Sequence, residues 1–338
     1  MNVILASVGR RNYLVRFFRE ALGPEGRVIG LDASTTAPAL RECHRSHVVP
    51  PVSDRSYIDR LVRIAEHESV TMIFSLNDVE IGVLVENRDY IEATSGATVY
   101  APGPTAWAIC SDKFQTWHFA VKHGLRSPST YLGLADTSAA ITNGQLAFPL
   151  IVKPRFGSAS NAIHLVETME DLVPAFNDCA KWGGAGHETD SQLTASAIAQ
   201  ELVDGKEYGL DVLFSRQGQV LGYAAREKLA MRAGETDKAI SVAPDMFEPF
   251  ARELGSHLDH RGNLDCDILE RDGDLYLLEI NPRFGGGYPF THLAGANHVA
   301  MLINDYVGTA PSPYGYEPGL TFAKYDMLVD VTPPRGDS

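Results

Sequence analysis

A cluster of acidic, amide and basic residues between positions 264 and 287 carries the strongest chemical signal in the sequence. Two apolar runs meet there at the letters RDGD, and this pattern predicts a β-hairpin. A three-residue turn over 272–274 puts Asp267 and Glu279 directly opposite each other, so that both carboxylates lie on one face. The sequence therefore predicts a pair of convergent carboxylates.

Two further polar residues extend this face. Steps of two residues bring Asn281 and Arg283 to the side of the strand that carries Glu279. Carboxylate and amide oxygens suit Mg²⁺, which keeps several waters and shares its other positions with phosphates, and an arginine offers a planar fork of donors to a phosphate oxygen. A surface hairpin with solvated acids is the alternative, but it leaves the glutamate that ends the apolar run LYLLEI unexplained.

Two lysines in other segments are placed to meet a phosphate chain. Lys153 lies near the end of the predicted strand 148–154, and the small residues after it include Ser158 and Ser160, whose backbone N–H groups can surround phosphate oxygens. Lys113 falls in the first turn of a predicted helix, where a cation opposes the helix dipole, and this placement hints at a ligand contact. Each signal alone also fits an ordinary surface lysine.

Two segments of the second half offer candidate binding residues. In 199–214 a strand, a tight DGK turn and a second strand follow one another; a nucleotide base can lie on such a connection, and Glu207 can accept from ribose hydroxyls. An ordinary hairpin is the alternative. The stretch 224–239 concentrates basic residues, including Arg226 and Arg232, and is either a solvated charged ribbon or a site for a substrate anion.

The elements that must position these residues follow from the hydrophobic pattern. The first hundred residues alternate short β-branched runs with helical patterns, which predicts a parallel sheet covered by helices. Ligands of such sheets bind beyond the carboxyl ends of the strands. The turn after the first strand has Gly9 alone and lacks GxGxxG, so a nicotinamide site is weakly supported. The letters YAPGPTA at 100–106 mark a domain boundary, after which antiparallel hairpins are predicted.

Composition excludes several classes of protein. The chain of 338 residues has a formal charge of −14, which opposes binding to nucleic acids or to anionic membranes. Its 44% hydrophobic and 21% charged residues are typical of a globular protein. The four cysteines are far apart, and the amino-terminal apolar run is too short for a signal peptide. We expect a cytoplasmic protein with small-molecule substrates, no nucleic acid partner and no membrane partner.

Taken in chain order, these motifs resemble the ATP-grasp superfamily. Lys113, Lys153 with its small-residue loop, the ELVDGKE segment and the face from Asp267 to Arg283 carry the resemblance. It is strongest to the large subunit of carbamoyl-phosphate synthetase and to stand-alone carboxylate-amine ligases related to it. The segments SVGRR, SLNDVE and INPRFGGGYPFTHLAGAN resemble sequences of that group of proteins.

The resemblance implies a fold class and a division of the chain. It implies an α/β, Rossmann-like pre-ATP-grasp domain over 1–108. An α+β ATP-grasp domain then covers 109–330, with a lid over about 125–200, and residues 331–338 form a tail.

The resemblance also implies how the nucleotide is held. Lys113 and Lys153 would hold the α- and β-phosphates, and the small-residue loop would close over the triphosphate. Glu201 and Val203 would meet the adenine largely through their backbone, and Glu207 would bind the ribose.

For the metal and the reacting groups it implies a second set of residues. Asp267, Glu279 and Asn281 would ligate two Mg²⁺ ions, and Arg283 would contact the transferring phosphate. Asp267 stands where relatives often have Gln or Glu.

These roles together imply an ATP-dependent, ADP-forming ligase that joins a carboxylate to an amine through an acyl phosphate. Arg226 and Arg232 would hold the acid substrate. A protein that binds ATP as a sensor or scaffold without turnover is the alternative, and a nicotinamide oxidoreductase is a third. We expect a homodimer by frequency alone.

Overall fold

A computed structural model of the protein describes residues 1–157, 162–182, 195–309 and 314–332. Within these ranges the strands form three sheets, of five, six and four strands. None of the helices in these ranges is long and apolar enough to cross a membrane.

The first hundred residues fold around a parallel sheet, as the alternating pattern predicts. Its strands are β1 (Asn2–Ala6), β2 (Arg27–Asp32), β3 (Arg45–Val48), β4 (Met72–Ser75) and β5 (Thr98–Tyr100). They lie in the order β3-β2-β1-β4-β5. The β-branched and aliphatic side chains of β1 and β4 are buried because helices cover both faces of the sheet.

A larger antiparallel sheet occupies most of the second half. Its strands are β10 (Lys206–Phe214), β11 (Val220–Arg232), β12 (Glu235–Val242), β13 (Gly262–Arg271), β14 (Asp274–Asn281) and β15 (Thr321–Ala323). The order is β14-β13-β10-β11-β12-β15. The sequence patterns predict β10, β11, β13 and β14 within a few residues but miss β12 and β15.

A smaller antiparallel sheet lies in the segment expected to form the lid. Its strands are β6 (Thr130–Leu132), β7 (Leu150–Pro154), β8 (His164–Val166) and β9 (Ala197–Glu201), in the order β6-β9-β7-β8. One face packs on a separate apolar cluster that includes Leu150, Val152 and Phe176. This part of the chain therefore has a core of its own.

Helices cover the sheets and connect them. The α-helices of the described residues are α1 (Asn12–Leu22), α2 (Tyr57–His67), α3 (Asp78–Glu86), α4 (Arg88–Ser95), α5 (Pro104–Cys110), α6 (Lys113–Lys122), α7 (Gly133–Thr142), α8 (Met169–Trp182), α9 (Glu248–His257), α10 (Tyr288–Leu293) and α11 (His298–Val307). Short 3₁₀ helices occur at Pro38–Glu42 and Pro244–Phe247.

The hairpin of β13 and β14 corrects one expectation. Its turn has two residues, Asp272 and Gly273, which both have positive φ, of 57° and 85°. A two-residue turn alone would set Cys266 opposite Glu279. A bulge at Leu278 shifts the register by one residue, so that Asp267 and Glu279 still pair.

The parallel sheet and the antiparallel part share one apolar cluster. Val3 and Phe18 of the first hundred residues pack in the same cluster as Phe284, Tyr288 and Leu302. This shared core fixes the carboxyl edge of the parallel sheet beside the segment that follows β14.

Candidate active site

The carboxylates of Asp267 and Glu279 are direct cross-strand partners, as the sequence predicts. Asp265 is paired with Asn281 in the same ladder. Because paired residues and residues two positions apart share a face, all four side chains lie on one side of the hairpin. The structure thus gathers four oxygen-bearing side chains on one surface.

Lys113 reaches this surface from the first turn of α6. Its Nζ lies 3.6 Å from Glu279 Oε1 and donates to the carbonyl oxygen of Gly157. Asp112 caps the helix by accepting from the N–H of Phe114 at 2.9 Å. The cap explains how a lysine is tolerated at this end of the helix, and the contact with Glu279 gives its ammonium group a partner.

Lys153 projects from β7 into the same region. The residue is 5% exposed, and burial lowers the pKa of its ammonium group to about 8, although the carboxylate of Glu279 opposes this shift. Lys113 lowers the pKa of Lys153 further. Two lysines therefore face one carboxylate, and the structure brings together Lys113, Lys153 and the hairpin as expected.

Lys228 of β11 joins the site, although the sequence shows it only as one charge within a basic stretch. Its Nζ donates to Asp267 Oδ1 at 2.6 Å and to Glu207 Oε1 at 2.6 Å. Burial opposes its charge, but the two carboxylates outweigh burial and raise the pKa of Lys228. Lys228 thus connects the expected metal ligand to the expected ribose ligand.

Removal from water raises the pKa of Asp267 to about 6, an effect that Lys228 opposes and that the nearby carboxylates reinforce. A carboxylate in this position needs a cation to remain ionised. The ammonium group of Lys228 provides that cation in the structure.

Arg283 links the hairpin to the parallel sheet. Its guanidinium makes a two-pronged ion pair with Asp78 at the start of α3, with distances of 2.8 and 3.0 Å. It also donates to Asn281 Oδ1 at 3.2 Å and lies 3.9 Å from Asp265 Oδ2. Arg283 therefore lies where the two parts of the chain meet, at the expected edge of the parallel sheet.

Arg226 is placed differently from the expectation that it binds the acid substrate. The side chain is 1% exposed and forms ion pairs with Asp211 and with Asp265, the latter at 2.6 Å. A Cβ atom at Gly209 or Gly287 would overlap the guanidinium. Because the protein encloses Arg226 completely, its role as a substrate ligand was wrong, and the residue is a buried cation between two strands.

Glu201 is the last residue of β9, and Val203 lies in the connection from β9 to β10. Glu201 pairs with Leu150 of β7, three positions from Lys153, so its side chain lies on the opposite face of the sheet from Lys153. Its carboxylate accepts from Arg271 at 2.7 Å. Val203 is 6% exposed. The side chain of Glu201 is therefore directed away from the Lys153 face.

Arg232 lies at the outer end of β11 with a half-exposed side chain. It is bound by Asp326 at 2.8 Å and by Asp237 at 3.0 Å. Ser158 and Ser160 lie outside the described residues.

The donors present fit Mg²⁺ and a nucleotide. Asp267 and Glu279 offer hard carboxylate oxygens from adjacent strands. Each carboxylate already has an ammonium group beside it, Lys228 for Asp267 and Lys113 for Glu279. Three lysines around two acids thus form a charged cluster suited to cations and phosphates together.

Sequence reasoning did not single out Asp211, Asp265 or Lys228 as site residues, and it placed Asp78 at the ligand-binding rim of the parallel sheet without its partner Arg283. Asp265 falls two residues before Asp267, and this spacing alone places it on the same face. The other three become neighbours only through the strand order β13-β10-β11 and the contact between the two parts of the chain.

Two segments of the chain match known families. Residues 3–99 match the family described as PylC-like, N-terminal domain. Residues 110–287 match the family described as ATP-grasp domain. The first match covers the parallel sheet, and the second contains the charged cluster.

Individual proteins show the same similarity. The carbamoyl phosphate synthase large chain of Vibrio cholerae is 21% identical over 248 residues, which span 71% of this chain but 22% of the synthase. The formate-dependent phosphoribosylglycinamide formyltransferase of Methylococcus capsulatus is 26% identical over 299 residues, 84% of this chain and 69% of that protein.

A solved structure extends the similarity to the fold. The biotin carboxylase domain dimer of the Hydrogenobacter thermophilus 2-oxoglutarate carboxylase, in complex with MgADP, ADP and bicarbonate, has a TM-score of 0.72 at 16% identity. The match covers 94% of this chain and 73% of that one. Similarity at this identity shows a common fold.

Proposed function

Because the chain belongs to the ATP-grasp family over residues 110–287, we propose that it is an ATP-dependent, ADP-forming ligase that joins a carboxylate to an amine. One observation carries the proposal: Lys113 and Lys153 both lie near Glu279, which is paired across the hairpin with Asp267. This arrangement places cationic side chains and metal-binding oxygens around the same space.

The chemistry requires such a space. A carboxylate and a nucleotide triphosphate are both anionic, and their approach is unfavourable unless nearby cations neutralise them. Lys113 and Lys153 provide two fixed positive charges for the phosphates. Arg283, whose Nε and Nη2 are paired with Asp78 in this structure, would add a third positive charge beside the transferring group. Asp267, Glu279 and Asn281 would hold Mg²⁺, which would neutralise further charge on the phosphates.

The reaction proceeds in two steps. A carboxylate oxygen of the acid attacks the γ-phosphorus, the bond to the β-phosphate oxygen breaks, and ADP leaves. The amine nitrogen then attacks the acyl carbon, phosphate leaves with the carbon–oxygen electron pair, and the nitrogen loses a proton. Water must be excluded between these steps, because the acyl phosphate hydrolyses.

Residues of the second half would also bind the adenine and the ribose of the nucleotide. The backbone at Glu201 and Val203 would bind the adenine. Glu207 would bind the ribose, with its carboxylate positioned by the hydrogen bond from Lys228. The segment 125–200 would act as the lid, with the division of the chain after residue 108.

The protein would be a cytoplasmic homodimer. The four cysteines are all free thiols, which supports a cytoplasmic location. A homodimer is proposed, and light scattering on the purified protein tests it.

A screen for ADP release tests the proposed reaction. The protein is incubated with MgATP and pairs of small carboxylates and amines, and ADP, AMP, phosphate and pyrophosphate are quantified. We expect ADP and phosphate in equal amounts, dependent on one acid and one amine. AMP with pyrophosphate would contradict the proposal, and MgATP binding without single-turnover ADP formation would favour the sensor alternative.

A further inference from the structure

Glu235 is a carboxylate held between two cations, Arg11 and Lys324. Its Oε1 lies 3.1 Å from Arg11 Nη2, and its Oε2 lies 3.0 Å from Lys324 Nζ. The Glu235 side chain is 44% exposed, whereas those of Arg11 and Lys324 are 19% and 21% exposed. Arg11 and Lys324 are therefore the less exposed residues, and Glu235 is the most exposed of the three charged side chains.

The carboxylate of Glu235 lies against Gly286, in the segment that follows Arg283. A Cβ atom at residue 286 would lie 2.9 Å from the carboxyl carbon of Glu235. The absence of a side chain at Gly286 lets this carboxylate rest against the main chain three residues after Arg283. Glu235 thus lies against the segment that follows Arg283, the residue proposed to contact the transferring phosphate.

Independent segments hold the two cations. Arg11 comes from the connection after β1, and its guanidinium donates to the hydroxyl of Tyr13 at 2.8 Å. Lys324 directly follows β15, and its backbone N–H donates to the carbonyl oxygen of Asp237 at 2.8 Å. Glu235 is the first residue of β12, next to the turn that joins β11 to β12. A rotation of its side chain would vacate the space between the cations and leave them in place.

We propose that Arg11 and Lys324 bind an anionic group of the acid substrate and that Glu235 occupies this position until the substrate enters. The inference rests on the proposed ligase function and names its substrate class: an acid with a second anionic group. One carboxylate reacts beside Arg283, and the second group replaces Glu235. Displacement is feasible because ion pairs of a partly exposed carboxylate are weak.

Titration calorimetry with matched acids tests this inference. Succinate, glutarate and adipate are compared with butyrate, valerate and hexanoate, with and without MgADP. We expect at least one diacid to bind about tenfold more tightly than its monoacid, because two built-in cations meet its second carboxylate. Glu235→Gln should tighten that diacid about fivefold by removing the competing charge.

Arg11→Ala and Lys324→Ala should each abolish the preference for the diacid. Glu248→Gln, which alters an exposed carboxylate paired with Arg252 on α9, serves as the matched control and should change nothing.

Two results would overturn the inference: equal binding of diacids and monoacids in the wild type and in Glu235→Gln, or weaker diacid binding in Glu235→Gln. The second result would mean that Glu235 supports Arg11 and Lys324 in diacid binding and does not compete with the diacid. MgADP affinity and ADP formation are measured on the same proteins. If both are present while the diacid preference is absent, only the inference fails; if both are absent in the wild type, the ligase proposal fails.

Discussion

Asp267 lies directly opposite Glu279 on adjacent strands, although the turn between those strands is one residue shorter than this pairing requires. The bulge at Leu278 supplies the missing residue. Without it, Glu279 would pair with Cys266 and point to the other face of the sheet. The bulge therefore determines whether the two carboxylates meet.

The first prediction concerns Glu279. Replacement by glutamine keeps the shape of the side chain but removes the negative charge that attracts Mg²⁺ and Lys113. Glu279→Gln should lower the rate of ADP formation at least about a hundredfold, since the charge on the transferring group is no longer balanced. The rate is measured at saturating ATP, with circular dichroism to confirm the fold.

Glu248→Gln is the control for this variant, because Glu248 is an exposed glutamate that pairs with Arg252 and does not belong to the charged cluster. If Glu279→Gln is folded and forms ADP at the wild-type rate, Glu279 is not a metal ligand.

The second prediction separates the function of Lys153 from its contribution to stability. Burial disfavours the ammonium group of Lys153 and lowers its pKa to about 8, so replacing it with an apolar side chain relieves a cost of folding. Lys153→Met should unfold at the same urea concentration as the wild type or at a higher one. Its affinity for MgADP should fall at least about tenfold, because a phosphate loses its buried charge partner.

Calorimetry and urea unfolding check both parts of this prediction. Lys122→Met, at the exposed end of α6, should leave the MgADP affinity unchanged. Unaltered MgADP binding in Lys153→Met would show that this lysine does not face the nucleotide.

Sequence patterns predicted the parts of the fold that repeat at short range. The run RVIGLD forms β2 over the predicted residues 27–32, and the carboxylate pair follows from the period of a strand. The pairing was obtained with the wrong turn, however, since a bulge has no signature in the pattern of apolar residues. Positions close in sequence were thus predictable, and their detailed register was not.

Arg226 and Lys228 show why the rest was not predictable. Both belong to a basic stretch whose sequence is compatible with a solvent-exposed strand. In the structure, however, Arg226 is fully buried and Lys228 is nearly so. Their partners, Asp211 and Asp265 for Arg226 and Asp267 for Lys228, lie on other strands. Only the strand order brings these charges together, and no local spacing encodes that order.

The third prediction follows from the burial of Arg226. Arg226→Ala leaves Asp211 and Asp265 as uncompensated buried charges, and it should lower the free energy of unfolding by about 3–5 kcal/mol. Arg232→Ala removes half-exposed ion pairs and should cost less than about 1 kcal/mol. Urea unfolding of the two variants tests the contrast. Equal stability of the two would contradict the structural role of Arg226.

The fourth prediction concerns pH. His298 is completely buried, its Nδ1–H donates to Asn263 Oδ1 at 2.7 Å, and burial lowers its pKa to about 3. In the unfolded chain the histidine has its ordinary pKa of about 6.5, so below that pH the unfolded chain binds a proton that the folded chain does not bind. The free energy of unfolding should therefore fall as the pH decreases from about 6.5 toward 3.

His298→Asn isolates this contribution. Between about pH 7 and pH 5 the variant should lose about 2 kcal/mol less stability than the wild type does. Urea unfolding at both pH values provides the comparison. Parallel pH dependence in the two proteins would show that His298 does not titrate on unfolding.

Transfer of oxygen from the acid to phosphate tests the central claim most directly. The acid that supports ADP release is labelled with ¹⁸O in its carboxylate, the reaction is run with MgATP and the amine, and the released phosphate is analysed by mass spectrometry. An acyl phosphate predicts one labelled oxygen in each phosphate, because the carbon–oxygen bond breaks when the amine attacks. Unlabelled phosphate, or label found in AMP, would contradict it.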